Sequence, residues 1–236
     1  MTETSEKLGY GRAAAIFLGF TGYFYLLVLF LIPWLKARFD LNPALHWFIT
    51  GYCLFTPILL AAVLLARREG SGPIGAALAV KPMNRRDRRY ALGGTLLCFA
   101  LSGIVFGASQ AAVKLLGARP LDPTPWFMAF EPFAGSERLL LLVWLPMFAL
   151  NILGEELMWR GYIQTRLEGR HAWLAVSLLW LVFHAPFGID LMIMLLPIVI
   201  VLPYAVHKTR NTTVGIAIHA LYNGPTFVLI ALGLIR

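Results

Sequence analysis

The sequence predicts an all-α polytopic transmembrane bundle of about seven or eight helices, and three observations carry that prediction. Hydrophobic residues make up 59% of the 236 and charged residues only 14%, more apolar surface than a soluble domain of this length can hide. The apolar residues fall in long runs, the pattern of helical spans rather than of an alternating barrel. The Lys and Arg residues gather in the short connections between those runs, where they orient a membrane protein. No room remains for a separate soluble domain, so residues 1–236 are read as one integral membrane domain.

Seven spans follow in order, at about 13–35, 47–66, 90–114, 139–165, 172–189, 190–206 and 212–235. Each suits a hydrocarbon core ~30 Å thick at about 1.5 Å of rise per residue. The first follows Lys7 and Arg12. It is longer than the apolar part of a signal peptide and no small-x-small cleavage site follows it, so it is read as a retained helix. The fifth and sixth nearly abut across Pro186 and Gly188. An eighth helix or a re-entrant piece fits 72–80 or 121–134. The stretch 117–138 mixes Pro120, Pro123, Pro125 and Pro132 with Trp126, Phe127, Phe130 and Phe133. That mixture cannot make a regular spanning helix and suits an interfacial loop with aromatic anchors.

The net charge of +8 does not point to nucleic acid. With the N-terminus in the cytoplasm, fourteen Lys and Arg residues fall on the inner side and six on the outer, the six being Lys36, Arg38, Lys114, Arg119, Arg138 and Arg236. The opposite orientation inverts this bias, so a multi-pass protein of the cell membrane with a cytoplasmic N-terminus is expected. The basic run from Lys81 to Arg89 reads as a topology anchor that touches anionic membrane lipid. Cys53 and Cys98 lie inside apolar runs and read as packing residues, not as a disulfide or a nucleophile.

Against this background the buried polar residues stand out, since ionisable groups inside spans are costly and mark function. Glu155 and Glu156 fall in the fourth span, His184 in the fifth and His219 in the seventh, accompanied by Asn151, Arg160 and Asn223. Counting from the ends of their spans sets the titratable groups roughly 10–18 Å from the inner boundary, as one shared pocket requires. Glu156 and Arg160 are spaced i,i+4 with the acid first, the favourable order for an ion pair, so Glu156 is read as a structural partner. Glu155 is rotated about 100° away, toward Asn151 and Tyr162, and is left for chemistry. His219 and Asn223, again i,i+4, share one face. A carboxylate held away from water can act as a base toward a water molecule, and a histidine can hold that water in place. A pair of donors can stabilise the oxyanion formed when water adds to an amide carbonyl. Glu155, His184, and His219 with Asn223 supply these three parts.

The string Gly154-Glu-Glu-Leu-Met-Trp-Arg160-Gly161 resembles the EExxxR motif of the CPBP family, which includes type II CAAX prenyl proteases and bacteriocin-processing or self-immunity proteins. The family's FxxxH motif has its counterpart in Trp180-Leu-Val-Phe-His184, with Trp in place of the first Phe, and HxxxN in His219-Ala-Leu-Tyr-Asn223. The motifs lie in order within 154–223; the N-terminal half is alike only in being hydrophobic. The resemblance implies an intramembrane endopeptidase, with Glu155 as catalytic glutamate and His184 positioning the water. His219 and Asn223 then stabilise the oxyanion, while Glu156 and Arg160 give structural support. The implied substrate is a membrane-associated peptide or protein, prenylated in the eukaryotic case. The family is often called a metalloprotease, and Glu155, His184 and His219 are the candidate ligands if zinc is present. No HExxH occurs, and the amide of Asn223 suits an oxyanion better than zinc, so a metal-free mechanism with no cofactor is favoured. The alternative from another class is a non-catalytic scaffold or self-immunity protein that keeps the motifs. Because neither thiol belongs to the polar constellation, Cys53→Ser combined with Cys98→Ser should leave turnover of a peptide substrate within about twofold, as measured on purified protein.

Overall fold

The computed structural model describes residues 7–68, 72–128 and 130–234. Eight helices are present there, and the only strand-like pairing is an isolated bridge between Leu8 and Leu167. Helix α1, Tyr10–Arg38, opens into a π-turn over Leu27–Leu31. Pro33 explains it: the ring has no N–H to give and crowds the carbonyl four residues back, at Leu29, so the turn widens there. Helix α2, Pro43–Arg68, begins with proline at its first position, and the Asn42 side chain accepts from the Ala44 N–H at 2.9 Å. A single turn, α3, covers Ile74–Ala77. Helix α4, Arg85–Leu116, starts on a capping box between Asn84 and Asp87 and ends on Gly117 in the left-handed region at φ +65°.

Helix α5, Leu140–Glu155, continues without a break into a π segment, Glu156–Gln164. Helices α6, Ala172–Phe183, and α7, Ile189–Thr209, form a hairpin, and α8, Thr212–Ala231, completes the chain. Six of the eight are long and apolar enough to cross a membrane, so the fold is the expected all-α membrane bundle. Two details differ from the seven spans expected. The fifth is too short, because a 3₁₀ turn at Ala185–Phe187, with Pro186 at its centre, follows α6 and Gly188, at φ +97°, turns the chain just past it. The fourth is not one α-helix, since its second half is π-helical.

The loop between α4 and α5 also departs from expectation. Trp126 is exposed, but Phe127 and Phe133 are buried in the core rather than spread at an interface. Phe127 packs on Trp47 and Phe187, and its carbonyl accepts from Lys36 Nζ at 2.9 Å. Arg119 grips Asp190 with both terminal nitrogens, at 2.5 and 2.7 Å, and this hydrogen bond and charge raise the Arg119 guanidinium above its ordinary value. The loop is thereby sewn to α1 and α7 at one end of the bundle.

The other end carries most of the Arg residues and is sewn as tightly. Lys7 pairs with Glu168 at 2.6 Å, Asn211 donates to Asp87 at 3.0 Å, and Arg86 donates to the Lys208 carbonyl at 2.9 Å. We call it the basic end. The π segment sits centrally, packed against α2, α6, α7 and α8, and two glycines let it do so. A Cβ on Gly154 would stand 3.0 Å from the Phe55 carbonyl oxygen, and one on Gly161 would stand 2.9 Å from that of Leu78. Backbone cannot swing aside as a side chain does, so Gly161→Val should lower unfolding stability by about 1–3 kcal/mol, read as an earlier thermal melt in detergent. Gly103→Val, where a Cβ meets nothing within 4 Å, should leave the melt unchanged.

Candidate active site

The site is assembled where α5 passes into the π segment, facing α6 and α8. Glu155 ends α5 and is 2% exposed. Its Oε1 accepts from Asn151 Nδ2 at 2.6 Å, one turn back, as the i,i+4 phase predicts. Its Oε2 accepts from Trp180 Nε1 at 2.5 Å. Both carboxylate oxygens are therefore held by neutral N–H donors, and the side chain has one orientation.

Glu156, on the next residue, meets a different neighbourhood. Its Oε1 lies 2.8 Å from His219 Nδ1, and its Oε2 lies 3.4 Å from Arg160 Nε. The ion pair read from the i,i+4 spacing is present, and His219 is an added partner that phase alone did not reveal. Room for Oε2 comes from α8: a Cβ on Gly215 would collide with it. Arg160 is fully buried, and its guanidinium carbon lies 3.5 Å from the centre of the Trp180 ring, so the cation rests on the aromatic face.

His184 closes α6. Its Nδ1 is 2.7 Å from the Trp180 carbonyl oxygen, and since a carbonyl only accepts, Nδ1 carries the proton. That leaves Nε2 as the nitrogen available to a ligand, and no hydrogen bond to it is found among the described residues. His184 and His219 flank the same indole, with ring centres 5.3 and 5.5 Å from that of Trp180. Four side chains, Glu155, Arg160, His184 and His219, thus converge on one tryptophan.

Asn223, expected to act with His219, is half-buried one turn further along α8; its amide makes no hydrogen bond among the described residues. Tyr162, grouped with Glu155 by phase, instead carries the Arg166 guanidinium over its ring at 4.3 Å. Trp180 is what sequence reasoning passed over, having read it only as a departure from Phe. The signal was there: an indole N–H inside a span needs an acceptor, and Glu155 is the one it takes. Cys53 and Cys98 are free and take no part.

For a metal, the residues do not fit. Among the described residues no three His, Cys, Asp or Glu side chains come together to hold an ion. Glu155, His184 and His219 are spread around an indole, and the two Glu155 oxygens already accept from Asn151 and Trp180.

Residues 137–224 match the family described as Type II CAAX prenyl endopeptidase Rce1-like, the family the three motifs resemble. The matched segment runs from the turn before α5 to the residue after Asn223 and contains every residue of the site. No curated protein and no solved structure matches the chain.

Removing one partner of a buried ion pair strands the other. Arg160→Ala should therefore cost about 3 kcal/mol of stability, seen as a lower melting temperature and poorer yield in detergent. A variant that melts normally yet has lost peptide turnover would reverse the roles given to the two glutamates.

Proposed function

We propose that this membrane protein is an intramembrane endopeptidase that hydrolyses a peptide bond in a membrane-associated substrate, with Glu155 activating the water. The observation that carries the reading is Glu155 itself: a buried carboxylate, fixed by two neutral donors, beside an imidazole with a free Nε2, inside the segment that matches the Rce1-like family. A carboxylate so fixed has lone pairs left to take a proton from a water it shares with His184 Nε2.

On this reading the water adds its oxygen to the substrate carbonyl carbon as its proton passes to Glu155. The carbonyl electrons move onto oxygen, and the oxyanion is met by His219 and Asn223. His219 Nδ1–H is engaged by Glu156, so donation from Nε2 needs the ring to carry both protons, and Glu156 is the counter-charge for that form. Collapse of the intermediate breaks the C–N bond, and the proton held by Glu155 goes to the leaving amine. Water supplies the only atoms added, and no metal enters a step. A prenylated peptide is the substrate class the family description suggests. The Lys and Arg bias favours the basic end, with the N-terminus, on the cytoplasmic face.

Two measurements on purified protein test the reading. Glu155→Gln keeps the shape of the side chain and removes the base, so hydrolysis should fall by at least ~10² with an unchanged melt. Wild-type protein kept in a strong chelator should cleave at its original rate with well under one zinc per chain. Activity that tracks zinc removal and return would overturn the metal-free step; a folded, active Glu155→Gln would overturn the assignment. A folded wild-type protein that turns over no membrane peptide would favour a scaffold.

A further inference from the structure

A set of buried polar atoms in this protein has no hydrogen-bond partner among the described residues, and its largest group lies along one seam. On the π segment these are Glu156 Oε2, the three nitrogens of the Arg160 guanidinium and Gln164 Oε1; on α6 it is Ser177 Oγ. All four residues are at most 4% exposed. A buried donor or acceptor left unsatisfied costs about 1–3 kcal/mol, and buried polar groups in native proteins are almost all bonded to protein or to ordered water. Six such atoms on two facing elements is a pattern, not an accident of one rotamer.

Their order follows from the chain direction. The π segment runs toward the basic end through Glu156, Arg160 and Gln164, while α6 leaves that end at Ala172 and rises through Ser177 to Trp180. The contact of Arg160 with the Trp180 ring at 3.5 Å fixes the two elements against each other. Gln164, one turn past Arg160, and Ser177, one turn before Trp180, therefore both lie on the basic-end side of that contact. There the bundle has a cavity of about 510 Å³, whose wall includes Gln164, Thr165, Ala172, His207 and Arg210. It is more than ten times the ~30 Å³ share of one water. Gln164 joins cavity and seam: its Nε2 donates to the Pro203 carbonyl at 2.8 Å, which orients the amide and leaves Oε1 without a partner.

We infer that water reaches the glutamate pair from this cavity, along a polar seam made by Gln164, Ser177 and Arg160 and ending at Glu156. The ligand of the seam is water itself, and its polar atoms alternate acceptor, hydroxyl and cation, so a water at each can be bonded on both sides. The seam resupplies the hydrolytic water without passing through the space a membrane-borne substrate occupies. Its functional consequence rests on the proposed peptidase reading; its existence does not.

The test is accessibility in sealed vesicles. In a Cys53→Ser/Cys98→Ser background, Ser177→Cys is treated with a charged methanethiosulfonate that cannot cross lipid, from either face. Such a reagent reacts with thiolate, which forms only where water reaches the sulfur. Arg88→Cys, on the exposed start of α4, marks the basic end, and buried Val176→Cys serves as the dry control. Ser177→Cys should be labelled from the face that labels Arg88→Cys, at least tenfold faster than Val176→Cys, and labelling should cut peptide turnover at least tenfold until a reductant removes the adduct. Gln164→Cys, at the cavity wall, gives the same reading if Ser177→Cys does not fold. Labelling only from the opposite face, or at the rate of the dry control, would sink the inference. Labelling as expected in a protein that cleaves nothing would keep the seam and reject the peptidase.

Discussion

Glu155 and Glu156 are consecutive carboxylates inside an apolar bundle, and each has to be satisfied separately because neither reaches bulk water and like charges side by side repel. The chain meets that constraint by sending them to different company. Glu155 is held by two neutral N–H donors, Asn151 and Trp180, while Glu156 is set against a cation and an imidazole. Trp180 serves both sides at once, giving its N–H to one carboxylate and its ring face to the partner of the other. Once the indole is fixed, so is α6, and His184 four residues on is fixed by the same residue's carbonyl. The positions of α6 and α8 are in this sense consequences of how two adjacent acids are kept apart.

Close approach of backbones is the steric condition for that arrangement. Lipid offers no hydrophobic force between helices, so association in a membrane relies on packing and on polar contacts across small residues. Gly154 and Gly161 bracket the acidic motif and let α2 and the α3 turn come within about 3 Å of where a Cβ would stand. Gly215 does the same on α8, where the missing side chain is the space taken by a Glu156 oxygen. The glycines of the motif are thus part of its chemistry, since a wider bundle would leave His219 out of reach of Glu156.

Much of this was legible in the sequence, for a physical reason. Against long apolar runs every ionisable residue is conspicuous, and helical phase separates Glu155 from Glu156 and pairs Glu156 with Arg160. Phase says which face a residue is on but not which neighbour it finds there. His219 was therefore expected to act with Asn223 on a common acceptor, while its partnership with Glu156, set by the packing of α8 on the π segment, was invisible. The π segment itself was equally hidden, because a change of hydrogen-bond register leaves composition and hydrophobic pattern untouched. In the loop before α5, aromatic residues among prolines look interfacial, and only the tertiary contact with Trp47 and Phe187 makes Phe127 a core residue.

The two ends of the bundle differ in what they can admit. At the end away from the basic residues, Phe187 stacks on the His184 ring, Phe127 stacks on Phe187, and Trp126 donates to the Pro186 carbonyl at 2.8 Å. His184 is roofed on that side by three aromatic layers held down by Lys36 and by the Arg119–Asp190 pair, a surface that suits apolar chains and repels water. Toward the basic end the same site is bordered by buried polar atoms with no hydrogen-bond partner among the described residues and by a cavity. A hydrolase working inside a bilayer has to bring together a substrate that prefers lipid and a reactant that avoids it. On the proposed hydrolytic reading, polarity divided between opposite sides of one imidazole pair lets the two arrive by different routes and meet at the glutamate pair.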